Sequence, residues 1–165
     1  MKILVVDDDL EVLNAVGRIF VTMVDGYTVL TATTANAGLN MLKREQPEII
    51  ILDVRLGPLS GMDLLKDFND YLRTHRMDKK PRIIVITAYP DEAVKKEAFE
   101  RYHVDAFLAK PFKAETIKHE VAKAVIKILE AEKKKAEMLL SSQEQNQDTE
   151  IGGQQDPPAK DSQRN

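Results

Sequence analysis

A chain of 165 residues with a formal net charge of −3 has room for one ordinary domain and a tail, and it lacks the net basic face that a nucleic-acid or anionic-membrane partner demands. The absence of cysteine removes disulfides, thiolate metal sites and thiol nucleophiles. No apolar run reaches the length of a membrane span, and the stretch after Met1-Lys2 breaks into three acids before it is long enough for a signal sequence, so the expected location is the cytoplasm.

In chain order, the first element is the apolar run Ile3-Leu4-Val5-Val6, which ends in Asp7-Asp8-Asp9. Leu13, Val16, Phe20 and Met23 then recur at helical spacing, with the Asp9 carboxylate placed to cap the helix start and Gly26 to close it. Thr28 to Thr31 reads as a second, shorter strand. Thr34 opens a helix through Leu39 and Leu42, and Pro47 stops it. Ile49-Ile50-Ile51-Leu52 ends at Asp53, and the loop from Arg55 to Gly61 follows, with Gly57, Pro58 and Gly61 marking turns. Leu64, Leu65, Phe68 and Leu72 predict a helix, linked by the polar stretch from Thr74 to Lys80 to Ile83-Ile84-Val85-Ile86, which ends at Thr87. A helix over about Asp91 to Tyr102 carries Asp91 and Glu92 in its first turn, where the dipole favours acids. Ala106-Phe107-Leu108-Ala109 ends at Lys110-Pro111, an X-Pro bond open to the cis form.

The final helix begins near Ala114 and runs to about Leu140, since this stretch contains no Gly or Pro and is rich in Ala, Glu, Lys and Leu. Ile117, Val121, Val125 and Ile128 form its packing face. Beyond Leu129 the apolar spacing thins to Ala136, Leu139 and Leu140, which reads as a solvated overhang or as a weak coiled-coil seam for a dimer. From Ser141 to Asn165 the composition is Gln, Asp, Ser, Gly and Pro, too polar to order itself. The expected organisation is therefore a domain over 1–128, a helical extension over 129–140 and a disordered tail over 141–165.

Strands buried on both faces read as continuous apolar runs, and four of them separated by helical stretches mean a parallel sheet with helices on both sides. In such sheets the functional cleft lies outside the carboxyl ends of the strands. That rule brings Asp7, Asp8, Asp53, Thr87 and Lys110 together. A hard divalent ion such as Mg²⁺ takes oxygen ligands, typically one or two carboxylates with waters and phosphate oxygens, and Asp8 and Asp53 suit that task. Asp7 is either a direct ligand or binds through water. Carboxylates this close would otherwise repel and raise one another's pKa. Asp53, in mid-sheet, is the best-placed nucleophile toward a phosphoryl group, with Lys110 offering a point charge to the phosphoryl oxygens or the free carboxylate and Thr87 a hydroxyl donor. Taken singly, each residue also reads as a helix cap, a strand-end hydroxyl or a solvated lysine.

Asp7-Asp8 after the first strand, Asp53 after the third, Thr87-Ala88 after the fourth and Lys110-Pro111-Phe112 after the fifth resemble the receiver domain of two-component response regulators, over about Met1 to Ile128. The resemblance implies a flavodoxin-like, doubly wound α/β fold with a five-stranded parallel sheet in the order 2-1-3-4-5. It implies that Asp53 accepts a phosphoryl group from a histidine kinase or phosphotransfer protein, and that Asp8, Asp53 and the backbone carbonyl of Arg55, assisted by Asp7, bind Mg²⁺. It further implies that Thr87 and Phe107 move on phosphorylation, and that Arg55 and Tyr89 flank the phosphoryl group and tune its hydrolysis. One departure is visible: the family usually places proline where this chain has Gly57, and here proline falls at Pro58, with the distance to Gly61 unchanged. Ser60, where the family often has Asp, reads as a cap.

Other readings are weaker. A nucleotide or flavin binder of the same architecture would cradle phosphate after the first strand, where this chain puts three acids. An aspartyl phosphotransferase would carry a second acid two residues after the nucleophile, where Arg55 stands. His75, His103 and His119 lack metal-ligand spacing. The remaining rival is a receiver-shaped adaptor that does not switch and acts through its long final helix and tail. The expectation is a stand-alone, monomeric or weakly dimeric switch without activity on outside substrates, signalling to a downstream protein, with no direct DNA binding because no further domain follows residue 140.

Overall fold

The computed structural model describes residues 1–21, 26–56, 59–75 and 80–151. The expectations for Met23, the Gly57-Pro58 turn, the Ser60 side chain and residues 152–165 lie outside the described residues.

Five strands, β1 (Lys2–Val6), β2 (Thr28–Ala32), β3 (Ile49–Asp53), β6 (Arg82–Thr87) and β7 (Ala106–Ala109), form one sheet in the order β2-β1-β3-β6-β7. All four pairings are parallel. Counted within this sheet alone, the order is the 2-1-3-4-5 expected of a doubly wound fold. Its helices are α1 (Leu10–Val21), α2 (Ala35–Glu45), α3 (Gly61–Thr74), α4 (Glu92–Tyr102) and α5 (Ala114–Ile151). Two further strands, β4 (Arg55–Leu56) and β5 (Leu59–Ser60), pair antiparallel just after β3, where the sequence predicts only a loop. Two residues on either side of a turn are too short a stretch to show a strand period.

Alternation along each strand divides the core into two layers. Leu4, Val6, Ile50, Leu52 and Val85 face one side, where they meet Leu42, Leu64, Leu65, Phe68, Ala98 and Tyr102. Ile3, Val5, Ile49, Ile51, Ile84 and Ile86 face the other, against Leu13, Val16, Phe20, Ile117, Val121 and Ala124. Every residue of β3 is buried, which fits its place in the centre of the sheet. Burial at the scale of about 25 cal/mol per Å² of apolar surface makes these two layers the main stabilising term.

Helix ends follow the local chemistry. The Asp9 carboxylate accepts the Glu11 amide at 2.8 Å at the start of α1, and Thr34 Oγ1 accepts the Ala37 amide at 3.2 Å at the start of α2. Asp91 caps α4 rather than lying within it, because its extended backbone leaves the carboxylate free to accept from Ala93 and Val94. Gly38 has no room for a side chain: a Cβ there would lie 2.9 Å from Val6 Cγ2, so glycine lets α2 approach β1.

The chain divides into Met1–Ile128 and Leu129–Asn165. In the first unit, Ile117, Val121, Ala124 and Ile128 of α5 are buried and Val125 is half-buried. In the second, α5 remains helical through Ile151, beyond both the helix end expected at Leu140 and the start expected for the tail. The residues from Ser141 to Ile151 are polar but include no helix breaker, and the first is Gly152. Leu129, Met138, Leu139 and Leu140 are exposed.

Candidate functional site

The carboxyl ends of β1, β3, β6 and β7 converge on one cleft. Lys110, just past β7, donates from Nζ to Asp7 Oδ2 at 2.5 Å and to Asp53 Oδ2 at 2.6 Å. The other oxygen of each acid accepts a backbone amide two residues on, Asp9 N–H to Asp7 Oδ1 and Arg55 N–H to Asp53 Oδ1, both at 2.9 Å. Both carboxylates are thus oriented by the loop that follows them and bridged by one ammonium. A carboxylate has about four lone-pair sites, so each retains acceptor capacity beyond these bonds.

Asp7 is fully buried and Asp53 is 5% exposed. Burial pushes the Asp7 carboxyl above the usual carboxylate range, against the lowering pull of Lys110 and the Asp9 amide and with a further raising push from Asp53. Burial works the other way on Lys110, but its hydrogen bonds to Asp53 and Asp7 outweigh it and raise the ammonium pKa. The pair therefore holds Lys110 charged.

Asp8 is exposed at the cleft mouth, and one carboxylate oxygen from each of Asp7, Asp8 and Asp53 lies within 4.8 Å of the others. An all-oxygen donor set of two buried carboxylates and one open to solvent fits a hard divalent ion that keeps part of its water shell. It does not fit a soft or borderline metal, since among the described residues no thiolate or imidazole joins the cluster.

Thr87 is buried, and Lys110 N–H donates to its carbonyl at 2.7 Å, which fixes the two loops side by side. The Thr87 hydroxyl is turned to its own loop: it accepts the Tyr89 amide at 3.2 Å and faces the Tyr89 carbonyl at 3.4 Å. The sequence expectation turns this hydroxyl to Asp53 only once that residue is phosphorylated, and in this structure it has the local strand-end partner that Thr87 taken singly suggests. The Lys110-Pro111 peptide is cis. Phe107 is half-buried and packs against the layer that includes Val85 and Tyr102. The Arg55 guanidinium lies over the Tyr89 ring at 4.3 Å, a contact absent from the sequence reading. Its signal was present: each residue stands two positions beyond the end of a strand, Asp53 or Thr87, and the two strands are neighbours.

A response regulator receiver domain model matches residues 3–122. Sporulation initiation phosphotransferase F of Bacillus subtilis is 29% identical over 122 residues, 74% of this chain and 91% of that protein. The transcriptional regulatory protein KdpE of Mycobacterium tuberculosis is 34% identical over 110 residues, 67% of this chain and 44% of the relative. The chain spans about half the length of relatives of the latter kind. Among solved structures, a response regulator of Burkholderia pseudomallei with a phosphorylated aspartic acid, calcium ion and citrate is 27% identical, with a TM-score of 0.63, over 79% of this chain and 72% of the other. The family model covers well over half of the chain, and the chain belongs to the family of response regulator receiver domains of two-component systems.

Proposed function

We propose that this chain is a phosphorylation-activated switch in which Asp53 takes a phosphoryl group from a histidine kinase or phosphotransfer protein. The observation that carries the reading is the single ammonium of Lys110 shared by two buried carboxylates at the carboxyl end of a parallel sheet. An Asp53 oxygen attacks phosphorus. A new O–P bond forms as the P–N bond of the donor's phosphohistidine breaks, and the imidazole leaves with the electron pair and takes up a proton.

Asp7, Asp8, Asp53 and the Arg55 carbonyl would hold Mg²⁺, whose charge offsets the negative charge that builds on the equatorial oxygens. Lys110 is already charged and positioned to meet those oxygens. Thr87 then exchanges its Tyr89 contacts for the phosphoryl group, and Phe107, which has no hydroxyl for a partner to read, repacks. The new doubly charged group biases a two-state element formed by α4, β7 and the first turns of α5, where a downstream protein docks. Activity is limited to the domain's own phosphorylation and dephosphorylation. Among the described residues no helix is long and apolar enough to cross a membrane.

The test is intact mass after incubation with acetyl phosphate, with and without Mg²⁺. Wild type gains one phosphoryl adduct only with Mg²⁺, and Asp53→Asn gains none while keeping its fold, since the amide removes the nucleophile with almost no change in volume. An adduct on Asp53→Asn, or none on wild type, would overturn the assignment.

A further inference from the structure

The contact between Arg55 and Tyr89 joins the two loops that matter most to the site. Arg55 N–H holds Asp53 Oδ1, and Tyr89 holds the Thr87 hydroxyl through its own amide and carbonyl. The guanidinium over the Tyr89 ring closes this into one bridge, from nucleophile through Arg55 and Tyr89 to the threonine. We propose that the Arg55–Tyr89 stack is a latch that stabilises the unphosphorylated arrangement and that a phosphoryl group on Asp53 opens it by drawing the guanidinium off the ring.

Three physical points support the latch. A guanidinium held by a neutral π-face gives up little when offered a dianionic phosphoryl group, because charge-assisted and bidentate bonds to phosphate are stronger than a cation–π contact at an exposed site. Arg55 is exposed and Tyr89 is 65% exposed, so the stack separates without opening the core. Finally, the Tyr89 backbone is the group that Thr87 must leave if its hydroxyl is to turn inward, so loosening Tyr89 lowers the barrier for Thr87. The position links the two buried ends, Asp53 and Thr87, through a pair of exposed side chains.

This inference rests on the phosphoacceptor reading, and beryllofluoride with Mg²⁺, a stable stand-in for the phosphoryl group, tests both. Binding is measured by titration for wild type, Tyr89→Ala, Tyr89→Phe, Arg55→Gln and the Arg55→Gln/Tyr89→Ala pair. Opening an exposed cation–π contact predicts that Tyr89→Ala binds beryllofluoride about two- to fivefold more tightly than wild type. Tyr89→Phe, which keeps the ring, binds as wild type does. In the Arg55→Gln background, Tyr89→Ala has no further effect. Equal binding by wild type and Tyr89→Ala, or a Tyr89→Ala effect that persists without Arg55, overturns the latch while leaving the phosphoacceptor intact. No Mg²⁺-dependent binding by wild type, or equal binding by Asp53→Asn, overturns the phosphoacceptor reading and the latch with it.

Discussion

Asp7 carries a carboxylate into a place where its charge is disfavoured. Its folded pKa lies above the unfolded value, so the folded state holds the proton more tightly. Stability attributable to this group is therefore greatest below the unfolded pKa and falls as pH rises through the folded one. Asp7→Asn removes that cost, and in EDTA at neutral pH the variant should unfold at a higher urea concentration than wild type. The advantage should vanish when the titration is repeated at acid pH, where wild-type Asp7 is protonated. Added Mg²⁺ should reverse the order, because an ion that binds only the native state stabilises wild type by mass action and the amide binds it poorly. A variant less stable than wild type in EDTA at neutral pH would show that Lys110 depends on Asp7 more than burial opposes it. The identities of the site acids, Thr87 and Lys110 were legible in sequence because each stands at the end of a buried run. Their present bonds were not, since which of two partners a hydroxyl such as Thr87 takes depends on loop geometry.

At the scale of elements, two helical glycines have opposite reasons to exist. Gly17 lies inside α1 with nothing within 4 Å of where a Cβ would stand, whereas a Cβ on Gly38 would press on Val6. Gly17→Ala should stabilise the protein by about 1 kcal/mol through helix propensity alone. Gly38→Ala gains the same propensity but overpacks a core contact at a cost of about 1–3 kcal/mol, for a net loss. Urea midpoints check both, and a stabilising Gly38→Ala would mean that Val6 yields easily. Four of the five sheet strands were readable as continuous apolar runs and most helices from their apolar spacing, while α4 was read from the acids at its start. Short β4 and β5 offered no period, and the approach of α2 to β1 at Gly38 is a tertiary fact that no local pattern encodes. Helix α5 outran its expected end because composition alone placed the tail at Ser141, while the first residue that actively breaks a helix comes at Gly152.

Across the whole molecule, every buried residue among those described lies at or before Ile128. A chain cut after Glu130 should keep its urea stability to within about 0.5 kcal/mol and still accept one phosphoryl group from acetyl phosphate, as unfolding curves and intact mass would show. Loss of either would mean that the later residues support the domain. The central place of β3 has a different kind of consequence. Asp53 and Lys110 are far apart along the chain, yet their strands are separated by a single neighbour, β6, so the two backbones run about 10 Å apart at ordinary strand spacing. Rungs such as Val54 N–H to the Ile86 carbonyl and Lys110 N–H to the Thr87 carbonyl cross that gap directly. Asp53, on the sheet's most enclosed strand, is thus tied rung by rung through backbone hydrogen bonds to the open margin at β7.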